Sequence, residues 1–151
     1  MCTGKGMIIR RNKTRPDYAM DSNDHAPLVH KLKLKDDKLE DRDFVRIELL
    51  PLNSLTSTKP KEWEFRVDEV GSLPLWFRKT QVDWEFQCKK ILAEKIIPIW
   101  IKEGVGGGLY LRGSQVKTLG QLKSVGGYLD LRGTQVKTPL KNIIVSGRIL
   151  T

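Results

Sequence analysis

The stretch VGGGLYLRGSQVKTLGQLKS (105–124, the first copy) is followed at once by VGGYLDLRGTQVKTPLKNII (125–144, the second copy), and 11 of the 20 positions are identical. A third, partial copy, VSGRILT (145–151), begins in the same register. A fixed period with repeated glycines is typical of a repeat architecture, in which each unit buries its apolar side chains against the next. The C-terminal third is therefore predicted to be built from stacked repeats.

Leucines in each copy alternate with other residues, as expected for a strand with one buried face. Leu109 and Leu111 are predicted to point inward and to stack on Leu129 and Leu131, with Ile149 next in line. A glycine after each strand permits the turn that follows. This pattern predicts a short β-solenoid of 20-residue rungs, which would offer a binding surface rather than a catalytic centre.

The side chains that alternate with these leucines form the predicted binding face. Tyrosine and arginine are enriched at binding hot spots, and aromatic residues beside cations also suit single-stranded nucleic acid. The alternative is that stacked arginines and lysines only keep the sheet from aggregating. The predicted binding residues are Tyr110, Arg112, Lys117, Tyr128, Asp130, Arg132, Lys137 and Arg148.

The net charge of +9 is concentrated in the repeats. Residues 105–151 carry seven basic side chains against the single acid Asp130, whereas residues 61–104 hold eight of each sign. A basic surface of this kind favours an acidic partner, either a host protein with an acidic surface or nucleic acid. An acid among the basic groups favours the protein.

Residues 44–104 are predicted to form a small α+β unit. Phe44–Leu50 and Trp63–Val67 are rich in strand-forming residues and predict a hairpin with a long loop. A helix that covers the hairpin is predicted to begin with a capping box at Thr80 and to end at Pro98.

Residues 1–43 are polar and charged, and we expect an extended arm laid over the rest of the chain. Two short segments of the arm, Met7–Arg10 and Leu28–Lys35, are predicted strands. The predicted fold class is thus α+β, a hairpin plus a helix, followed by a short β-solenoid. The predicted domains are the arm at 1–43, the α+β unit at 44–104 and the repeat module at 105–151.

The unit LDLRGTQVKTP (129–139) resembles the short 20-residue leucine-rich repeat of bacterial effector proteins. It departs from that repeat at two places. Ser114 and Thr134 stand where the repeat has an asparagine, and Val-Gly-Gly stands where a leucine opens it.

The first half of the chain resembles a different family. MCTGKGMIIRRNKTRPDYAMDSNDHAPLV (1–29), DFVRIELLP (43–51), KPKEWEFRVDE (59–69) and LPLWF (73–77) are similar to small phage and prophage proteins with a shared N-terminal unit, here residues 1–78, followed by variable repeats. The resemblance carries no catalytic motif. It implies a viral or mobile-element setting in which the repeats are the variable part.

No catalytic residue, metal site or cofactor is predicted. Cys2 would become an N-terminal nucleophile after removal of Met1, as in some amidotransferases, but no surrounding pattern supports that role. His25 and His30 match no known spacing of metal ligands. The run Gly106–Gly108 lacks the lysine and helix that follow a phosphate loop.

A cytoplasmic location in the host cell is expected. Two cysteines do not make a disulfide framework, the first residues lack the apolar stretch of a secretory signal, and no apolar run is long enough to span a membrane. The predicted function is that of a non-enzymatic phage or prophage accessory protein, which binds a host factor through the repeats and so inhibits a defence system. The alternatives are a nucleic-acid-binding protein and an N-terminal-cysteine hydrolase.

The last strand of the repeats has no following unit to cover its edge. Such an edge is a template for another strand, so residues 145–151 predict a homodimer in which two copies of the chain pair edge to edge. The alternative is that residues 1–43 fold back and cap the open end.

Overall fold

A computed structural model describes residues 2–36 and 42–151, so Met1 and residues 37–41 of the predicted arm lie outside the described ranges. The strands are β1 (Lys5–Arg10), β2 (Phe44–Pro51), β3 (Trp63–Val67), β4 (Leu109–Tyr110), β5 (Ser124–Val125), β6 (Leu129–Asp130), β7 (Ile144–Val145) and β8 (Ile149–Leu150). The helices are α1 (His25–Lys31), α2 (Leu75–Arg78), α3 (Gln81–Ile91) and α4 (Ile97–Lys102), with a 3₁₀ turn at Pro60–Glu62 and a π-helical turn at Leu92–Ile96.

The largest sheet is antiparallel, with strand order β1-β2-β3. The predicted pairing of β2 with β3 is confirmed, and Ile47 lies opposite Val67. The predicted strand at Met7–Arg10 is confirmed as part of β1, whose Met7 lies opposite Ile47. The first part of the predicted arm is therefore an integral strand of the sheet.

Strand β2 is buried on both faces. On one face, Val45, Ile47 and Leu49 join the main core. On the other face, Phe44 packs with Ile8 of β1 in a smaller cluster under α1. Since alternate side chains of a strand point to opposite faces, the apolar residues at nearly every position of β2 reflect this double cover.

The second predicted strand of the arm, Leu28–Lys35, is wrong, because this segment lies in and just after helix α1. Leu28 and Leu32 are one helical turn apart, and both pack in the smaller cluster. The same leucines fit a period of two as well as a helical turn, so their spacing alone did not separate the two structures.

The predicted helix is present and begins directly after Thr80, but the predicted capping bond and the predicted end at Pro98 are wrong. Thr80 makes no capping bond, and its hydroxyl donates instead to the carbonyl of Trp76 at 2.9 Å. Pro98 does not end the helix, since it lies in the first turn of α4, directly after the π-helical turn. A proline ring clashes with the carbonyl four residues earlier in a regular helix, and the wider turn before α4 removes that conflict.

The predicted β-solenoid is not found. Residues 105–151 form two small parallel sheets of two-residue strands, β4-β6-β8 and β5-β7. The period of 20 is kept in their register, because Leu129 lies opposite both Leu109 and Ile149. The chain as a whole is α+β, with one antiparallel sheet and these small parallel sheets.

The physical reason lies in the last six positions of each 20-residue copy, where no residue is identical. Leu119 and Leu122 of the first copy are buried, whereas their counterparts in the second copy, Pro139 and Asn142, are exposed. The second copy places its apolar side chains one position later, at Leu140 and Ile143, where they are only partly buried against the core. The identical residues at a fixed period showed that the chain contains a repeat. They did not show how many sides of each repeated unit are buried.

The division into three domains stays a prediction, but one core crosses both of its boundaries. Met7, Trp84 and Leu129 belong to the same buried cluster. The loop after β2 also binds the first copy directly, since the amide of Leu55 donates to the carbonyl of Thr118 at 3.0 Å.

Lys5 is a charged residue with no exposed surface in the first strand of the sheet. Its ammonium donates to the carbonyl oxygens of Ala19 and Ser22, so it ties the following loop to β1. Met20 and Asp21 of that loop lie against the glycines that open the first copy. Burial lowers the pKa of Lys5 from its ordinary value of 10.5 to about 8, although the charge of Asp21 opposes the shift.

Truncating the equivalent valine in the first and in the second copy is expected to lower the free energy of unfolding by different amounts. Val116 is fully buried and its counterpart Val136 is only half-buried. Val116→Ala is expected to lower the free energy of unfolding by about 2 kcal/mol, and Val136→Ala by less than about 1 kcal/mol. Urea unfolding of both variants measures the difference. Equal losses would show that the two copies are buried alike, as a regular solenoid requires.

The stability contributed at Lys5 is expected to depend on pH. Between pH 8 and 10.5 the unfolded chain holds the Lys5 proton more firmly than the folded protein does. Stability therefore rises with pH through this window, and the gain is absent below about pH 8. From pH 7 to 9.5, the wild type should gain about 2 kcal/mol relative to Lys5→Met in urea unfolding. A difference that stays constant across this range contradicts the burial of a charged Lys5.

Candidate functional site

The outward side chains of β4, β6 and β8 and of the turns next to them form one surface, called the repeat face, which consists of Tyr110, Arg112, Tyr128, Arg132 and Arg148. Tyr128 is 51% exposed, and the ring of Tyr110 is half-buried. Both rings lie against glycine backbone. A Cβ at Gly108 would be 2.9 Å from the Tyr110 ring, and one at Gly147 would be 2.6 Å from the Tyr128 ring. The glycines of the repeat therefore make room for the two aromatic rings.

Asp130 lies beneath this face and not on it, since only 4% of its surface is exposed. The guanidinium of Arg132 donates to the two carboxylate oxygens of Asp130, at 2.9 Å from Nε and 2.7 Å from Nη2. These bonds hold the pKa of the Asp130 carboxyl below its ordinary value, against the opposing effect of burial. Asp130 thus orients Arg132, and direct contact with a partner falls to the arginine.

Arg112 and Arg148 are exposed beside this ion pair. The charge of Arg112 acts on the Asp130 carboxyl, which places the arginine near it. Five of the eight predicted binding residues therefore lie on the repeat face, and Asp130 supports them from below.

The other two predicted residues, Lys117 and Lys137, lie elsewhere. Together with Lys141 they line a shallow groove, called the lysine groove, whose floor includes Pro139 and Leu140. Arg112 lines a different cleft, beside Glu64 and Arg66. Lys141 was not predicted, because it falls in the part of the copy where the repeat has lost its identities. The structure divides the predicted basic ladder between two surfaces.

The surroundings of Cys2 do not favour an activated nucleophile. The thiol is buried, and its sulfur lies 3.1 Å from Nδ1 of His25. Burial, together with the charges of Glu48, Asp24 and Asp68, raises the pKa of the Cys2 thiol to about 12. A hydrogen bond from the backbone amide of His25 acts in the opposite direction but does not offset burial. The expectation that the protein is not an enzyme stays a prediction.

Compared with known proteins, the chain matches no protein-family model, no curated protein and no solved structure. The resemblance to small phage and prophage proteins therefore stays a prediction, as does the likeness of the copies to bacterial leucine-rich repeats.

None of the helices in residues 2–36 and 42–151 has the length and apolar character needed to cross a membrane. In the same part of the chain, the repeat face offers two aromatic rings and three arginines on short, glycine-bounded strands. Such a surface can bind acidic groups by charge while it packs against apolar ones.

Proposed function

We propose that this protein is a non-enzymatic accessory protein of a phage or prophage, which binds an acidic surface of a host protein through the repeat face and thereby inhibits a host defence system. The observation that carries the proposal is the ordered pair of Arg132 and Asp130 beside the exposed ring of Tyr128. A buried carboxylate that fixes an exposed guanidinium lowers the entropy lost when that guanidinium binds a partner.

The charge distribution supports an acidic partner. Among the repeats, Asp130 is the single acid, and its charge is already paired with Arg132. Arg112 and Arg148 remain exposed nearby, so they are available to carboxylates of a partner. Charge of this kind accelerates encounter and selects against basic partners more than it adds affinity.

A protein partner fits the surface better than a single strand of nucleic acid does. Nucleic acid binding is favoured by a continuous track of cations along its backbone. Here the cations are divided between the repeat face and the lysine groove, and Arg132 is already paired. The exposed ring of Tyr128, at 51%, lies on the repeat face and suits a protein surface.

The proposal includes a cytoplasmic location in the host cell. Both cysteines, Cys2 and Cys88, are buried free thiols, which agrees with a reducing compartment.

We also propose that the protein is a homodimer that pairs through residues 145–151. Strand β8 is the last strand of its sheet, and β7 ends the other. The alternative is a cap formed by residues 1–43, of which Met20 and Asp21 contact the first copy. Two chains related by a two-fold axis would cover both open edges and bring their repeat faces side by side.

Charge reversal on the repeat face is expected to abolish capture of the host protein. The double variant Arg112→Glu, Arg148→Glu changes two exposed arginines and leaves the Arg132 pair in place, and its mass in light scattering must equal that of the wild type because Arg148 lies in the proposed dimer segment. Tagged protein is incubated with host lysate, with and without nuclease, and bound proteins are identified by mass spectrometry. One protein should be retained by the wild type after nuclease treatment, and its recovery should fall at least about tenfold with the double variant.

The matched control is Lys79→Glu with Lys90→Glu, which makes the same change in net charge at exposed positions outside the repeats. It should bind the partner like the wild type. Capture that disappears with nuclease would assign the face to nucleic acid instead. Equal loss in both double variants would show that only the total charge matters, and the repeat face would then have no special role.

The dimer is expected to show twice the chain mass of 17.3 kDa in light scattering at micromolar concentration. Ile149→Lys should give the monomer mass, because a charge on the open edge opposes strand pairing. Val82→Lys, at another exposed apolar residue, is the control and should leave the dimer intact. A wild-type mass of 17.3 kDa contradicts the proposal.

A further inference from the structure

A cluster of three side chains that bind metals in other proteins lies over the N-terminal strand. Cys2 and His25 are buried, and Asp68 is half-exposed at its edge. The cluster occupies space that a side chain at Gly6 would fill, since a Cβ there would lie 2.9 Å from the Cys2 sulfur and 3.1 Å from the His25 ring. Glycine in this strand therefore makes room for the cluster.

The three ligand atoms converge on one another. The Cys2 sulfur lies 3.1 Å from His25 Nδ1, and Asp68 Oδ2 lies 3.4 Å from the same nitrogen. All three atoms lie within 4.8 Å of one another. In a catalytic triad, the thiol and the carboxylate face different nitrogens of the ring, so that the proton passes in series. Here both atoms lie near the same nitrogen, and a shared ion requires the Cys2 side chain to turn toward the lone pair of that nitrogen.

The hydrogen bond of His25 Nε2 determines whether Nδ1 carries a proton when the ring is neutral. Nε2 lies 2.6 Å from the carbonyl oxygen of Ile47, so the ring donates its proton there. Nδ1 of a neutral ring then presents a lone pair toward the Asp68 carboxylate. Two acceptors at this distance repel each other unless a proton or a cation lies between them. A backbone carbonyl behind the ring is also the usual partner of a histidine that binds a metal.

The thiol is not a competing partner for that lone pair. The sulfur is 3.9 Å from Nε2, only slightly farther than from Nδ1. A sulfur in line with the Nδ1 lone pair would lie much farther from Nε2, so Cys2 approaches the ring from the side. The lone pair therefore remains available on the side of Asp68.

Three carboxylates lie near the cluster, and one of them, Glu48, is also paired with Arg66. Asp24 accepts a bond from the backbone amide of Cys2 at 2.7 Å, and Glu48 accepts one from the amide of Thr3 at 3.1 Å. With Asp68, these carboxylates oppose ionisation of the thiol. A divalent cation would offset their charge and stabilise the thiolate at the same time.

We propose that Cys2 Sγ, His25 Nδ1 and Asp68 Oδ2 bind one divalent transition-metal ion of the zinc class. Thiolate and imidazole ligands select zinc over magnesium or calcium. Binding transfers the thiol proton to solvent, so one proton is released for each ion bound to the thiolate. Three protein ligands leave the fourth position of a tetrahedral ion to water, on the side where Asp68 meets solvent.

The test is a titration of the reduced, chelator-treated full chain with Co²⁺, followed by competition with Zn²⁺. One equivalent of Co²⁺ should produce the near-ultraviolet charge-transfer band of a cobalt thiolate, and Zn²⁺ should remove it. Cys2→Ser should lack the band. Asp68→Asn, at a half-exposed position that leaves the fold intact, should weaken Co²⁺ binding by about 10- to 100-fold.

Two controls use the other cysteine and the other histidine. Cys88→Ser and His30→Ala should keep the band and the affinity of the wild type, because neither residue belongs to the cluster. The opposing explanation, a protonated His25 paired with Asp68, predicts no cobalt band. Absence of a saturable band in folded wild type, or its persistence in Cys2→Ser, overturns the proposal.

Discussion

The burial of strand β2 on both faces is the constraint on which the rest of the structure depends. A three-stranded sheet covers little by itself, so each face of β2 needs its own layer. Helix α3 and the first copy of the repeat supply one layer, through Trp84, Cys88 and Leu109 among others. Helix α1 supplies the other, through Leu28. Helix α1, from the N-terminal part of the chain, and the first copy of the repeat, from the C-terminal part, therefore both pack against β2.

The positions of the two candidate sites also depend on the burial of β2 on both faces. The face of β2 that meets α1 carries Glu48, and the adjacent glycine of β1 leaves the space in which Cys2 and His25 meet. The opposite face holds the first copy, so the later copies and their arginines extend outward from it. The sites approach each other at one edge, since Thr3, next to Cys2, lines the same cleft as Arg112.

The sequence predicted the features that follow from regularly spaced side chains. Alternation in β3 placed Trp63, Phe65 and Val67 on one face, and all three pack in the main core. The identities of the repeat predicted the register of Leu109 with Leu129. The sequence did not predict features that depend on contacts between distant segments. Asp68 lies far from Cys2 in sequence and no pattern connects them.

The predicted solenoid does not form, and the two copies of the repeated unit have different roles in the structure. In the first copy, Val116, Leu119 and Leu122 are buried in the main core, so this copy acts as a layer of the α+β fold. In the second copy, Val136 is half-buried, and proline and asparagine replace the two leucines. Since that copy contributes less to the core, its outward residues can change at little cost to stability. The strands that both copies keep, with their glycines and inward leucines, then hold Tyr128 and Arg132 in a fixed register on a surface free to specialise.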